Sequence, residues 1–488
     1  MPPLAVRRWV SIAALLTLTA AVLRLYRLDH FSYWLDEILQ ARFVRGSWQE
    51  FWKTLRLDMV HPPLDYLIVR GVEHVDPADW VRKVPAVAWG IGTVAAFGAL
   101  VGRRAGRGAA RVAMLLLTFA PFHVRYSQEL RPYSLGLFLL VLSLLLLESF
   151  LARPTPLRLL GLYLAALGCA YALYLAAAVL AIAAAALVAE DCICADPERR
   201  RYARRFLGWS PVFIAALWLA YLPWWPVLLE ASRRPPLAGP EPLTLARLGR
   251  TISFFAFAPN DGHPLRRSGA LAAILMATGL WTAIRRRRLR FLAIWAIAGL
   301  VTIEILGQVH PHFAATRRFL PAGIALTALV ALAVADLLSR TALARIAGYA
   351  VLAVFVFFSA QGLATYYRVG RPDWRPLALF LRRESAPGET IFSENQYTML
   401  CVKFYLRRGT PGENLRNVVS VDGDVRRLAY SWPPRSGAWL VLGCGPESGE
   451  LRTWAKPFPT FAFPTAEGES VLKRLDAASW GEAMRRVR

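Results

Sequence analysis

Apolar runs of roughly bilayer-spanning length alternate with short basic clusters along most of the chain. A spanning helix needs about 20 apolar residues. Candidate runs cover approximately 9–23, 84–101, 112–124, 135–151, 159–189, 207–226, 268–284, 291–307, 319–338 and 346–363. The basic clusters between them are Arg103/Arg104/Arg107/Arg111, Arg153/Arg158, Arg199 to Arg205, Arg285 to Arg290, and Arg340/Arg345. Positive-inside bias puts all of them in the cytoplasm, so the 31 residues of 159–189 must start and end on one side. That segment therefore reads as two short helices in a hairpin around Tyr171 to Tyr174. The pattern predicts eleven membrane helices, the N-terminus inside and the C-terminus outside. The first run follows Arg7 and Arg8, has no small-residue cleavage site and continues into Arg24 and Arg27, which predicts an uncleaved helix.

Two polar segments interrupt this pattern. Residues 24–83 form a first external loop with nine basic and nine acidic residues. The apolar positions of FVRGSWQEFWKTL and PPLDYLIVRGV within it have helical spacing, which predicts interfacial helices on the membrane surface. Residues 371–488 carry turn signals (PGE, DGD, PPRSG, GPESGE) between strand-like runs (TIF, NVVSV, AWLVLGC, FPTFAF) and helical ones (WRPLALFLRR, YTMLCVKFYLRR). The predicted organisation is a membrane domain over 1–370 and a small extracytoplasmic α/β domain over 371–488.

Composition sharpens the class. The 488 residues are 56% hydrophobic and 19% charged, with a net charge of +25. This apolar excess excludes an ordinary soluble enzyme and a disordered chain. The positive charge would suggest a nucleic-acid partner in a soluble protein, but its placement between apolar runs makes it a topology signal, so no nucleic-acid partner is expected. Arginine outnumbers lysine 53 to 5, as in a GC-rich bacterial genome. Neither a Walker A loop nor a nucleotide-binding GxGxxG unit is present. Cys192 and Cys194 lack partners for a zinc site, while Cys401 and Cys444, both in the external domain, are within one domain and able to form a disulfide.

Candidate chemistry collects at the external ends of the helices. Asp36 and Glu37 in SYWLDEILQA form an acidic pair at an aromatic boundary, suited to general-base work or, alternatively, to capping the helix that starts at ILQARFV. His61 opens HPPLDYL and suits an anion or phosphate contact, or a plain turn before a helix. HVRYSQELRPYS packs Arg125, Tyr126, Glu129, Arg131 and Tyr133 into one tight turn, more polar groups than a turn needs. Arginine favours bidentate phosphate contacts and tyrosine a sugar face; a Glu129–arginine pair that stiffens the turn is the alternative. His310, His312, Arg317 and Arg318 precede FLPAGIAL, where Arg318 either snorkels or holds a lipid phosphate. The His-x-His spacing alone does not make a metal site.

Taken in order, an arginine near the end of helix one, DE, HPPL, Arg82-x-x-Pro85, YSQELRPYSL and RRFLP resemble the family 39 type of GT-C glycosyltransferases. These are relatives of protein O-mannosyltransferases and of the bacterial lipid A aminoarabinose transferase. The resemblance covers roughly residues 20–380, and PDWRPLALFL resembles the start of a soluble tail. It implies a polytopic α-helical GT-C fold, a cavity at the outer membrane face and a sugar donor carried on a polyprenyl phosphate. By position, Asp36 matches the family's base or acceptor-orienting residue, with Glu37 its neighbour. His61, Arg125, Arg131 and Arg318 match carrier-phosphate or donor contacts. Glu129, Tyr126, Tyr133 and His310 are implied to line the cavity. The chain departs from the pattern at Ile38 and Leu39, where the aminoarabinose transferase has a basic residue, and at Asp65, where relatives carry an apolar or aromatic one.

The implied partners are a polyprenyl-phosphate sugar, an envelope glycan, lipid or protein acceptor, and membrane lipid, in a bacterial cytoplasmic membrane. No cofactor is required by this chemistry; a divalent metal is left open, since arginine and histidine can carry the same charge. A transporter or flippase of lipid-linked sugars, or a polymerase, is the competing expectation. A transporter's signature would be repeats or mid-membrane charges, for which Glu304 is the main candidate.

Overall fold

The computed structural model describes residues 4–76, 78–233, 244–256, 266–309, 316–369, 373–386, 389–407, 418–422, 424–431, 437–443, 450–455, 458–465 and 468–476. The chain forms two compact units: 1–26 with 43–366, and 27–42 with 367–488.

The first unit is helical. In chain order it holds α1 (Leu4–Leu25), most of its contacts with α5 (Asp79–Phe119), and, after α2 (Leu35–Phe43), the short α3 (Trp48–Asp58) and α4 (Leu64–Glu73). Then follow α6 (Pro121–Ser127), α7 (Tyr133–Ala152), α8 (Pro156–Ala172), α9 (Tyr174–Cys192), α10 (Pro197–Tyr221) and α11 (Trp225–Arg233). α12 (Leu245–Ala256), α13 (Arg266–Arg285), α14 (Arg290–Val309), α15 (Leu320–Leu338) and α16 (Ala342–Val369) complete it. This is a multi-pass membrane protein: among the described residues seven helices are long and apolar enough to cross a membrane, or eight if α10 and α11, bent by 81°, make one span. α8 and α13 are apolar but shorter.

All eleven apolar segments of the sequence are helical; the lower count arises because α5 contains two of them, α8 and α13 are short, and α10 is bent against α11. α5 is two arms divided at Gly106, whose φ of 88° and ψ of 168° lie where a side chain is strained. The arms fold back on each other: a Cβ on Gly98 would strike Met114, and one on Gly102 would meet Ala110. The segment 159–189 is indeed two helices, α8 and α9, separated at the extended residue Leu173. α15 lies at the centre, buried continuously from Leu320 to Val334, as a helix apolar on every side must be. The runs expected to lie on the membrane surface are helical, as α3 and α4. Ser47 caps α3 in a reciprocal box, its hydroxyl accepting from the Glu50 N–H while the Glu50 carboxylate accepts from the Ser47 N–H.

The second unit is α/β. A five-stranded sheet runs in the order β2-β1-β3-β5-β4, with β1 (Thr390–Ser393), β2 (Val418–Ser420), β3 (Ala438–Leu442), β4 (Thr460–Thr465) and β5 (Gly468–Leu475). β1 pairs in parallel with both β2 and β3, whereas β5 is antiparallel to β3 and β4. β1 and β3 are buried throughout, so TIF and AWLVL read as near-continuous apolar runs. The expected strands and the helices α17 (Trp374–Glu384) and α18 (Gln396–Arg407) are present; β5, polar at Glu469, Lys473 and Arg474, was not anticipated. Cys401 is a buried thiol, and Cys444 lies outside the described residues.

Residues 27–42 fold onto this second unit. The Tyr33 N–H donates to the Tyr405 hydroxyl at 2.7 Å, the Trp374 N–H donates to Ser32 Oγ at 3.0 Å, and Arg375 donates to the Asp29 carbonyl at 2.8 Å.

Candidate functional site

In the helical unit, Pro62 and Pro63 turn the chain into α4 and leave His61 inside, 1% exposed. Its ring stands edge-on to Tyr133, centroids 5.7 Å apart, and Tyr133 meets Tyr126 in the same manner at 5.3 Å. Neither ring nitrogen of His61 has a hydrogen-bond partner. Burial, and then the charges of Arg131, Arg318 and Arg317, hold the imidazole well below its ordinary pKa, so it is neutral. Arg131 sits in the turn between α6 and α7, and Arg318 in the 3-10 turn before α15; both are buried. Two buried nitrogens without partners cost about 1–3 kcal/mol each, and three cations nearby add self-repulsion. An anion here would relieve both.

The rest of the HVRYSQELRPYS turn divides by role. Arg125 contacts Glu129 at 3.4 Å, so the stiffening pair weighed from sequence does form, and Arg125 is engaged with that carboxylate. Gln128 donates from Nε2 to the carbonyls of Arg24 and Tyr26, both at 2.9 Å, capping the last turn of α1. Sequence reading singled out neither Gln128 nor His123. Arg24, fully buried, donates to the Ala20 and Leu117 carbonyls and lies 2.6 Å from His123 Nδ1. His123 is thus an acceptor at Nδ1; burial and then Arg24 keep its pKa well below the usual value. Gly90 makes room for this turn, because a Cβ there would overlap Ser127 and crowd Arg24. Arg82, of the Arg-x-x-Pro motif, is buried in ion pairs with Glu73 and with Asp79 at 3.2 Å, joining α4 to α5.

A predominantly apolar groove of ≈ 1070 Å³ is lined from Pro63 onward along α4; His61 itself is not among its lining residues. Leu64 and Leu67 of α4, Trp89 of α5 and Leu139 of α7 form its walls, with Lys53 and Arg56 of α3 on its edge. Its size and composition suit a hydrocarbon chain.

In the second unit, α2 begins at Leu35, so Asp36 lies within its first turn and is not its cap. The capping contact comes from Glu37, whose carboxylate accepts the Trp34 N–H at 3.3 Å. Glu37 is fully buried and Asp36 half-buried. His310 and His312 lie outside the described residues. Among the described residues no group of three His, Cys, Asp or Glu is arranged to hold a metal.

The family model for dolichyl-phosphate-mannose-protein mannosyltransferases matches residues 60–226, a third of the chain. No curated protein matches the sequence. Among solved structures, ArnT from Cupriavidus metallidurans in the apo state superposes with a TM-score of 0.55 at 16% identity, covering 97% of this chain and 99% of that one. The same protein bound to undecaprenyl phosphate gives 0.53 at 15%, covering 98% and 99%. The Archaeoglobus fulgidus oligosaccharyltransferase in complex with Zn and sulfate gives 0.52 at 13%, covering 94% and 72%. The chain therefore has the GT-C fold of ArnT over nearly its whole length, and its residues 60–226 are similar to the dolichyl-phosphate-mannose-protein mannosyltransferase model.

Proposed function

We propose that this protein is an integral membrane glycosyltransferase that moves a sugar from a polyprenyl-phosphate carrier to an acceptor at the outer face of the cytoplasmic membrane. The observation that carries the reading is His61, buried with both nitrogens unsatisfied in the field of Arg131, Arg318 and Arg317. A carrier phosphate supplies an acceptor for the unpartnered His61 ring and sits in the positive field of these arginines, and the apolar groove along α4 takes the polyprenyl chain. The similarity to ArnT bound to undecaprenyl phosphate supports the same carrier class.

Asp36 takes the proton from the acceptor hydroxyl, and the freed oxygen attacks the anomeric carbon. The bond from that carbon to the phosphate oxygen breaks, and its electron pair leaves on the phosphate. Within the helical unit, Arg131 and Arg318 are the groups suited to stabilise charge on a leaving phosphate. Glu37 holds the start of α2 through Trp34 and so positions Asp36. The C-terminal α/β unit lies outside the cytoplasm in this reading, in accord with the placement of the basic clusters.

The test is incubation of the purified full chain with a polyprenyl-phosphate sugar, following release of the polyprenyl phosphate. Asp36→Asn keeps shape but removes the base, which is typically worth about 10²–10⁴-fold. Turnover should fall at least about a hundredfold while carrier binding persists. Activity surviving in both Asp36→Asn and Glu37→Gln would end the mechanism. Carrier translocated with its sugar bond intact would establish a flippase instead.

A further inference from the structure

The run Arg199 to Arg205 starts α10, and its members do different things. Asp196 caps the helix by accepting the N–H groups of Glu198 and Arg199. Arg199 turns inward and pairs with Asp191 at 2.7 Å and with Glu148. Arg200, Arg201, Arg204 and Arg205 form no ion pair with any described residue; Arg204 reaches only the Cys192 carbonyl, at 3.3 Å, and Arg201 lies over the Tyr202 ring. Together with Pro197 these four guanidiniums line a hollow of ≈ 370 Å³.

Arg205 also ends a second hollow. A groove of ≈ 710 Å³ runs between α7, α8 and α10, walled by Phe150, Leu160, Tyr163, Phe206, Trp209 and Phe213. Its floor is rigid: Phe206 packs edge-on to Phe150 at 5.5 Å and to Phe213 at 5.8 Å. Leu160 and Trp209 are largely exposed on the outside of the helical unit, the side that meets acyl chains in a membrane protein.

We propose that the two hollows are one binding site for an anionic glycerophospholipid of the surrounding membrane. The phosphate sits among Arg200, Arg201, Arg204 and Arg205, and an acyl chain lies in the aromatic groove. The argument is charge complementarity joined to shape. Arg201, Arg204 and Arg205 are exposed and Arg200 half-buried, and all four line one hollow on α10 that shares Arg205 with an apolar groove of acyl-chain character. Clusters of arginine next to a membrane helix attract acidic headgroups for this reason, and here the cluster adjoins the groove between α7, α8 and α10. The site is separate from the His61 cluster, and its occupancy does not depend on the transferase reading.

Native mass spectrometry of the full chain, released from nanodiscs of phosphatidylglycerol mixed with phosphatidylcholine, tests it. The wild type should retain phosphatidylglycerol selectively. The R200Q/R201Q/R204Q/R205Q variant should weaken that retention at least about tenfold. R285Q/R287Q/R288Q, which removes three charges from another basic cluster, should keep it. R205Q alone, and A216W, which fills the groove, should each weaken retention if the fourfold variant does not fold. Equal retention of phosphatidylcholine, undiminished retention in R205Q and A216W, or equal loss in the control cluster would overturn the proposal. So would displacement by equimolar polyprenyl phosphate, which would make the site a carrier site.

Discussion

Two of the buried charged clusters in the helical unit are built in opposite ways. Close to the Gly106 break, Arg104 makes a bidentate pair with Asp191, both bonds 2.9 Å, and also contacts Glu190 and Glu148. Arg199 bridges the same Asp191 and Glu148, and Glu190 accepts the Phe291 N–H at 3.3 Å. Two arginines and three carboxylates satisfy one another and join α5, α7, α9, α10 and α14. The other cluster surrounds Tyr133, fifteen residues before Glu148 on α7 and so about 22 Å along it. There His61 has no hydrogen-bond partner, and the charges acting on its ring are all positive. Both clusters are equally hidden from solvent, so burial does not distinguish them. The histidine does: in the first cluster every charged group named has an ionic partner and this closed network holds helices in register, whereas in the second the buried His61 ring has none.

The largest effect should come from opening the closed network. Arg104→Met leaves Glu148, Glu190 and Asp191 facing Arg199 alone. Losing one partner of a buried pair costs about 3–5 kcal/mol. Unfolding in detergent should show that loss, with carrier affinity in the still-folded protein unchanged. A variant that unfolds normally but cannot bind carrier would reverse the roles assigned to the two clusters.

Opening the other cluster further should do the converse. Arg131→Gln and Arg318→Gln each remove a cation from beside the leaving phosphate. Loss of one such contact typically costs about 10²–10³ in turnover. Stability should fall less than in Arg104→Met, because removing either cation also relieves the positive potential around His61. A fall in stability as large as that of Arg104→Met, with turnover intact, would make this cluster structural too.

How far each cluster could be read from the sequence follows from the same contrast. The apolar runs specify helices locally, which is why α8 and α9, and the two arms of α5, were legible. QELRPY was also legible, as a turn with more polar groups than it needs. Its division was not: Gln128 serves α1, a hundred residues earlier in the chain, while Arg131 serves His61. His61 alone was a weak signal because its cations come from positions 131, 317 and 318. Arg104 was read as one of several topology arginines, since its carboxylates lie 44 and 87 residues away. Nothing local announces that residues 27–42 fold with the C-terminal unit, since Tyr33 meets Tyr405 across 372 positions.

The smallest effect separates the open site from a buried histidine that is merely packed. His61 and His123 are both buried outside the spanning helices, and both have pKa values well below the ordinary 6.5. Folding therefore keeps each neutral, while the unfolded chain takes up a proton at each as pH falls through about 6.5. The unfolded state then binds more protons, so stability is full above that pH and is lost on acidification. By pH 5.5 each ring should cost about 1.4 kcal/mol. Thermal unfolding across this range should show the slope reduced in both His61→Gln and His123→Gln. Polyprenyl phosphate distinguishes them. A phosphate beside His61 favours its protonated form and raises its folded pKa toward the unfolded one, which removes its share of the slope. His123 already has Arg24 on Nδ1, so the carrier does not change its share. Carrier should thus flatten the profile of the wild type and of His123→Gln but leave His61→Gln as it was. If it flattened all three alike, or none, the phosphate would not lie beside His61.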